Sequence, residues 1–291
     1  MSSTNSTSAL TPQATARYQK QVEAAAAALR EDVGSLPSTA LLLGVGGPAV
    51  RDALDPTNVV SYADLPHMPG EAKGGTVAVG TWEDTPVVVL DTPLPLHDGY
   101  TPREAVFPVR MLGAAGIDTL LLTGAAGGIR SELKPGTLMV LTDHINFQGV
   151  NPLVGPNVDD WGPRFPDMTE PYAPALRRAA DRVARENHLS LRKGVYLGAL
   201  GPTLGTGAEY RMMRTLGADA VGMGLVPEVI AARHMDVRVG GVAVITDRCS
   251  TESPAPVTAE ELHAAAADAQ PQLLTLLGGL VGAAQGDELT A

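Results

Sequence analysis

The sequence predicts a single α/β domain with a mixed, largely parallel central sheet flanked by helices on both faces. Three observations carry that prediction. The candidate strands, such as Leu41-Leu42-Leu43 and Val237–Thr246, are near-continuous apolar runs, the pattern of strands covered on both faces. They alternate with helical segments along the chain. The 291 residues, 44% of them hydrophobic, suffice for one full core, with no internal repeat and no linker between halves.

The elements follow in order. Residues 1–10 are rich in Ser and Thr and read as a disordered tail, leaving residues 11–285 as the domain. Thr11-Pro12 reads as the N-cap and first residue of a helix reaching about Asp32. Leu41-Leu42-Leu43 is a short buried strand that leads into the turn Gly44-Val45-Gly46-Gly47-Pro48. Thr76–Val79 and Pro86–Leu90 form a strand pair about Glu83-Asp84. Thr101-Pro102-Arg103-Glu104 is a capping box opening a helix to about Gly116. Asp118–Thr123 and Thr137–Thr142 are strands, and the irregular stretch 143–170 is long enough to suggest a functional or interface loop. Pro171–Asn187 and Gly207–Leu216 are helical, while Val195–Ala199, Ala218–Val221 and Val237–Thr246 are strands. Thr258-Ala259-Glu260-Glu261 is a second capping box and opens the last helix.

Composition excludes several function classes. A net charge of −11 disfavours nucleic acid and anionic membrane surfaces. No apolar run is long enough to cross a membrane, and the N-terminus lacks the pattern of a signal peptide, so a cytoplasmic protein is expected. Cys249 is the only cysteine, which excludes an internal disulfide and a Cys-based zinc site. The six histidines show no metal-ligand spacing, and no G-x-S-x-G elbow is present. The expected partner is a small molecule, with neither metal nor cofactor.

The segment Gly217-Ala218-Asp219-Ala220-Val221-Gly222-Met223-Gly224-Leu225-Val226-Pro227-Glu228-Val229-Ile230-Ala231-Ala232-Arg233-His234 resembles the C-terminal signature of the trimeric purine nucleoside phosphorylases. Further matches are Phe107-Pro108-Val109-Arg110, Leu122-Thr123-Gly124-Ala125-Ala126-Gly127-Gly128, Asp143-His144-Ile145-Asn146, Asn151–Asn157, Arg164–Met168 and Gly201-Pro202-Thr203. The resemblance spans residues 35–280. It implies the nucleoside phosphorylase-type fold, a homotrimer with sites at subunit interfaces, and attack of inorganic phosphate on a purine nucleoside.

The chain departs from the family's pattern where phosphate should bind. The serine of the family's Gly-Ser-Gly-Leu-Gly loop is Val45, its arginine and histidine are Pro93 and Pro95, its asparagine is Gly124, and the serine after the methionine is Gly224. The amide at Ala125 remains. Hydrogen bonds to charged groups contribute roughly 1.5–3 kcal/mol each, so losing several should weaken phosphate binding by about three orders of magnitude or more. At the base site the family's Phe-Glu pair is Leu204-Gly205, and its asparagine is Asp247, as in the methylthioadenosine phosphorylase relatives. At the sugar site Met223 and Phe165 match the family, the latter as a residue reaching over from a neighbouring subunit. A tyrosine has become His97, a pocket histidine corresponds to Lys73, and a histidine of the last helix is Ala259. His144, His234 and Glu209 match positions that read as structural.

Asp247 and His97 are therefore the candidate catalytic pair, with Lys73 as a third polar group. A carboxylate and an imidazole in one pocket suit proton transfer in both directions. Met223, Phe165, Leu204, Gly205, Lys73, Val45, Gly224 and Ala125 are the candidate substrate contacts. The expectation is a divergent family member performing a phosphate-independent lyase-, cyclase- or hydrolase-like step on a small metabolite. Two alternatives remain: a purine nucleoside phosphorylase whose phosphate site is rebuilt from Lys73, Arg103 or Arg248, and a binding protein without catalysis.

Overall fold

In the computed structural model, which describes residues 10–69, 74–249 and 256–285, a long first helix, α1 (Pro12–Val33), precedes the sheet. The Thr11 hydroxyl caps it by accepting the Ala14 N–H at 3.2 Å, and Val22, Ala25, Ala26 and Leu29 form its buried stripe. Then come β1 (Thr39–Leu43), α2 (Gly47–Ala53), β2 (Asp55–Ser61), β3 (Thr76–Trp82) and β4 (Thr85–Leu90). The expected tail, residues 1–9 with Leu10 after them, lies almost wholly outside the described residues.

The helix expected over residues 101–116 is two helices, α3 (Pro102–Ala105) and α4 (Phe107–Ala115), divided at Val106. Pro108 has no N–H to give to the Glu104 carbonyl, so one continuous ladder cannot run through this point. The Thr101–Glu104 capping box forms as expected, and Gly116 closes α4 at a φ of 102°. Beyond it lie β5 (Thr119–Gly128), β6 (Leu138–Asn146), α5 (Pro174–Glu186), β7 (Leu191–Gly198), α6 (Gly207–Thr215), β8 (Ala220–Gly222), α7 (Val226–His234), β9 (Arg238–Arg248) and α8 (Ala259–Ala284). Residues 147–173 contain neither helix nor strand, in keeping with the long irregular stretch seen in the sequence.

The strands lie in the order β2-β3-β4-β1-β5-β8-β7-β6-β9, with β9 returning to pair with β5. The β1–β4, β1–β5, β5–β9, β6–β7 and β7–β8 ladders are parallel, and the other four are antiparallel. The sheet is thus mixed and largely parallel. Alternation along β1 shows that both faces are covered: Leu42 joins an apolar cluster with α1, α4 and α7, whereas Leu41 and Leu43 join one with α5 and α8.

The strand that organises the site is β5. Its first half, Thr119–Thr123, pairs with β1, while Gly127 and Gly128 pair with β8. On its other side it runs against β9 throughout. Strands β5, β8, β7, β6 and β9 consequently close into a ring, and β1 diverges from it at Gly124. A crevice must open where one strand exchanges neighbours, and in α/β sheets such a switch point holds the ligand.

Candidate active site

The crevice is a cavity of about 550 Å³. Its floor comes from the ends of β1 and β5, including Gly44, Gly124 and Ala125, and from Thr246 and Asp247 of β9. One wall is the segment between β8 and α7, Met223-Gly224-Leu225; another is the β7–α6 connection, with Leu200, Thr203, Leu204 and Gly205. His97 and the two prolines Pro93 and Pro95 close the third side.

Asp247 reaches the cavity through a β-bulge. Ala126 pairs with Ile245 and Gly127 with Asp247, leaving Thr246 as the extra residue. Bulges re-aim side chains beside active sites, and here the residue after the bulge is the candidate carboxylate. One Asp247 oxygen accepts the Arg248 N–H at 2.6 Å. His97 sits on a single 3₁₀ turn, Leu96–Asp98, held by its place after Pro95. Its Nδ1 is buried without a hydrogen-bond partner, and its Nε2 lies 3.8 Å from Asp98 Oδ1. The ring therefore faces inward rather than standing free in solvent.

Met223, Leu204, Gly205, Gly224 and Ala125, candidate substrate contacts, also line this cavity. Of the other candidate contacts, Val45 and Phe165 do not. Val45 packs beside the α8 cluster, and its N–H is given to Thr123 Oγ1 at 3.3 Å, while the Gly44 N–H bonds the Thr123 carbonyl at 2.9 Å. Those two amides are occupied, which takes them out of any anion nest. Phe165 stands 87% exposed on the irregular stretch, stacked only by Arg164, 5.5 Å from its ring centre. Lys73 lies outside the described residues.

The two arginines considered for a rebuilt phosphate site are elsewhere. Arg103 bonds Thr15 Oγ1 at 2.9 Å and lies over the Tyr18 ring, and Arg248 is exposed and does not line the cavity. Among the described residues no Lys or Arg lines it at all, whereas Asp247, Glu228 and Glu209 do.

Gly205 needs a different account from the enlarged cavity that its small size suggests. A Cβ built there would stand 2.6 Å from the Tyr210 ring, and the Gly205 N–H donates to the Tyr210 hydroxyl at 3.0 Å. Tyr210 fills the space that a longer side chain would use. A Cβ at Gly124 would likewise meet Leu225 at 3.0 Å, whereas one at Gly224 would meet nothing within 4 Å. Leu225 adopts a φ of 73°, a left-handed conformation uncommon for a residue with a Cβ and a recurrent sign of a functional turn.

Four further groups at the site escaped the sequence reading. Glu228, in the first turn of α7, is 4% exposed, and burial pushes its carboxyl up to about 7 despite N–H donors from Leu225 and its own backbone. Its Oε2 has no partner. A charged residue directly after Pro227 and within the apolar run Val226–Ala232 was the available signal. Tyr196 is fully buried, and its hydroxyl accepts the Gly224 N–H at 3.4 Å. Tyr210 is the third group. Cys249 is the fourth, a thiol that burial pushes up to about 11 and thereby keeps protonated.

His144, His234 and Glu209 behave structurally. His234 Nδ1 lies 2.9 Å from the Arg110 guanidinium and Nε2 3.1 Å from Asn157 Oδ1, and burial and Arg110 together lower its pKa to about 4. His144 Nδ1 meets the Tyr172 hydroxyl at 3.2 Å. Glu209 forms the α6 capping box with Thr206, although it also borders the cavity.

A largely parallel sheet that closes partly on itself, with its crevice at a strand switch point, defines an α/β class whose cavity opens across the ends of β1, β5 and β9. The phosphorylase superfamily model matches residues 38–281. The chain is 36% identical over 264 residues to purine nucleoside phosphorylase 1 of Bacillus subtilis, covering 90% of this chain and 97% of that protein. It is 40% identical to the Geobacillus stearothermophilus protein of the same name, across 83% of this chain and 89% of the relative. A solved schistosome purine nucleoside phosphorylase with hypoxanthine superposes with a TM-score of 0.85 at 30% identity, across 90% of this chain and 96% of that one. The chain belongs to the purine nucleoside phosphorylase family of the phosphorylase superfamily.

Proposed function

We propose that this family member acts on a neutral or cationic, nucleoside-sized molecule without inorganic phosphate as co-substrate, through a lyase-, cyclase- or hydrolase-like step. One observation carries the reading. The described lining of the cavity holds three carboxyl side chains and one histidine, with no Lys or Arg among them. A phosphate dianion entering it would meet like charge and no Lys or Arg among the described residues, the reverse of what an anion site supplies. Asp247 and His97 are the groups for proton transfer, and Met223, Leu204 and Ala125 shape the walls. Glycine at 224 leaves open the space where the family's pattern has a hydroxyl. The working assembly in this reading is a cytoplasmic homotrimer, its single domain spanning residues 11–285, in which Phe165 of one subunit completes the cavity of the next.

The second reading is ordinary phosphorolysis, favoured by the names of relatives at 36–40% identity. Incubation of inosine, guanosine and adenosine with and without phosphate separates the two. The first reading expects no phosphate consumption and no rate gain from millimolar phosphate. Phosphate-dependent formation of a sugar 1-phosphate would replace it with the second.

A further inference from the structure

Glu228 stands out among the groups that the proton-transfer scheme leaves unused. It lies on the cavity, is 4% exposed, and leaves Oε2 without any hydrogen-bond partner. The other oxygen is satisfied by N–H groups at the start of α7, so the carboxyl is held in one orientation by its own helix. Buried polar atoms without partners are rare in folded proteins, and this one belongs to a side chain of the cavity lining. Beside it, Gly224 adds no side chain, and a Cβ there would stand in open space. The Tyr196 hydroxyl accepts the Gly224 N–H and gives Glu228 Oε2 no hydrogen bond.

We propose that Glu228 is the specificity-determining residue of this cavity and binds an amine or other basic nitrogen carried by the ligand. The complement follows from charge and proton bookkeeping. Asp247 and Glu209 border the same space, and the described lining offers no Lys or Arg to neutralise any of the three carboxyls. A nitrogen base fits Glu228 in either protonation state, as an ammonium beside a carboxylate or as an amine accepting from a carboxylic acid; the two differ only by which partner holds the shared proton. An anionic ligand group fits only the protonated acid. The elevated carboxyl pKa of about 7 places that proton where a ligand near neutrality can exchange it. This inference rests on the phosphate-independent reading for the chemistry of the substrate, but not for the contact itself.

The test is binding without turnover. Benzylamine, benzyl alcohol and benzoate, three aromatic probes of similar size, are titrated calorimetrically into the full-length protein at pH 7. Benzylamine is expected to bind about tenfold or more tightly than benzyl alcohol, with benzoate weaker than both. Glu228→Gln should bring benzylamine to the level of the alcohol. Gly224→Val, which narrows the cavity that both residues line, should weaken benzylamine in the same direction, and it supplies the answer if Glu228→Gln does not fold. Equal binding of amine and alcohol by the wild type, failure of all three probes to bind, or a preference that survives both variants would overturn the assignment. Phosphate-dependent turnover together with an intact, Glu228-dependent amine preference would sink the phosphate-independent reading alone.

Discussion

At the scale of single residues the site is a set of coupled replacements. Gly205 is accompanied by Tyr210, whose ring stands 2.6 Å from the position of the missing Cβ, and Gly124 by Leu225 at 3.0 Å. Neither glycine is a simple deletion, because the neighbour has taken the room. Asp247 and His97 were legible from the sequence, since a motif position and its altered residue can be read directly. Glu228 was not, because its importance comes from burial and an unpartnered oxygen, which are properties of packing. Asp247→Asn and His97→Ala are each expected to lower turnover of the true substrate by about 10²-fold or more with unchanged melting temperature, as loss of a general acid or base does. Near-full turnover in both variants would remove proton transfer from the account. Glu228 gives a separate stability signature. Its carboxyl shifts from 4.5 to about 7 on folding, so the folded state holds the proton more tightly. The associated stability is complete below about pH 4.5 and is lost as pH rises through about 7; it amounts to about 3 kcal/mol at most. The charged form would also face the buried Tyr172 and Tyr196, whose hydroxyls it helps to keep protonated. Denaturant titrations from pH 4 to 8 should show this slope in the wild type and a flatter one in Glu228→Gln, and identical slopes would contradict it.

At the scale of elements, the sequence was most readable where one physical signal dominated. Apolar runs located the cores of β1, β5 and β9, and capping boxes located the starts of α3 and α8. The strand ends were less readable, and the site is built from them. β5 continues through Gly124–Gly128, β6 through Asp143–Asn146 and β9 through Asp247-Arg248. Glycines and polar residues at these positions resemble turns, yet the backbone stays in the ladder because neighbouring strands hold it there. β2 was missed for a related reason: Asp55-Pro56-Thr57 is polar and exposed, and only pairing with β3 makes it a strand. The split of β5 between β1 and β8 could not be read from composition, since it depends on which strands become neighbours. The caps are directly testable. Thr258 accepts the Glu261 N–H at 3.2 Å while Glu261 accepts the Thr258 N–H at 2.8 Å. Thr258→Ala should cost about 1 kcal/mol and lower the melting temperature by about 2–4 °C, measured by calorimetry. No change would mean that the packing of α8 against β9 and β4 fixes the helix start without its cap.

At the scale of the whole molecule, six of the exposed apolar side chains among the described residues fall into two groups that one chain leaves unmatched. Phe165, 87% exposed, and Val154, 55% exposed, project from the irregular stretch 147–173. Leu200, Leu204, Met212 and Phe147, each between 38% and 50% exposed, surround the cavity. Apolar groups of this size standing in water point to contact with another surface. A cyclic assembly would satisfy both groups at once if each subunit gave its projecting stretch to one neighbour and received another at its cavity mouth. That is the homotrimer implied by the family resemblance, and it makes a quantitative prediction. Light scattering should return three times the 30.1 kDa chain mass, and Phe165→Ala should reduce turnover while leaving the fold intact by circular dichroism. The fold of each chain should survive because Phe165 buries almost nothing within its own chain. A monomeric mass would leave the cavity open to water on one side. Proton transfer between Asp247 and a substrate would then compete with bulk solvent, and the two exposed apolar groups would need a different partner.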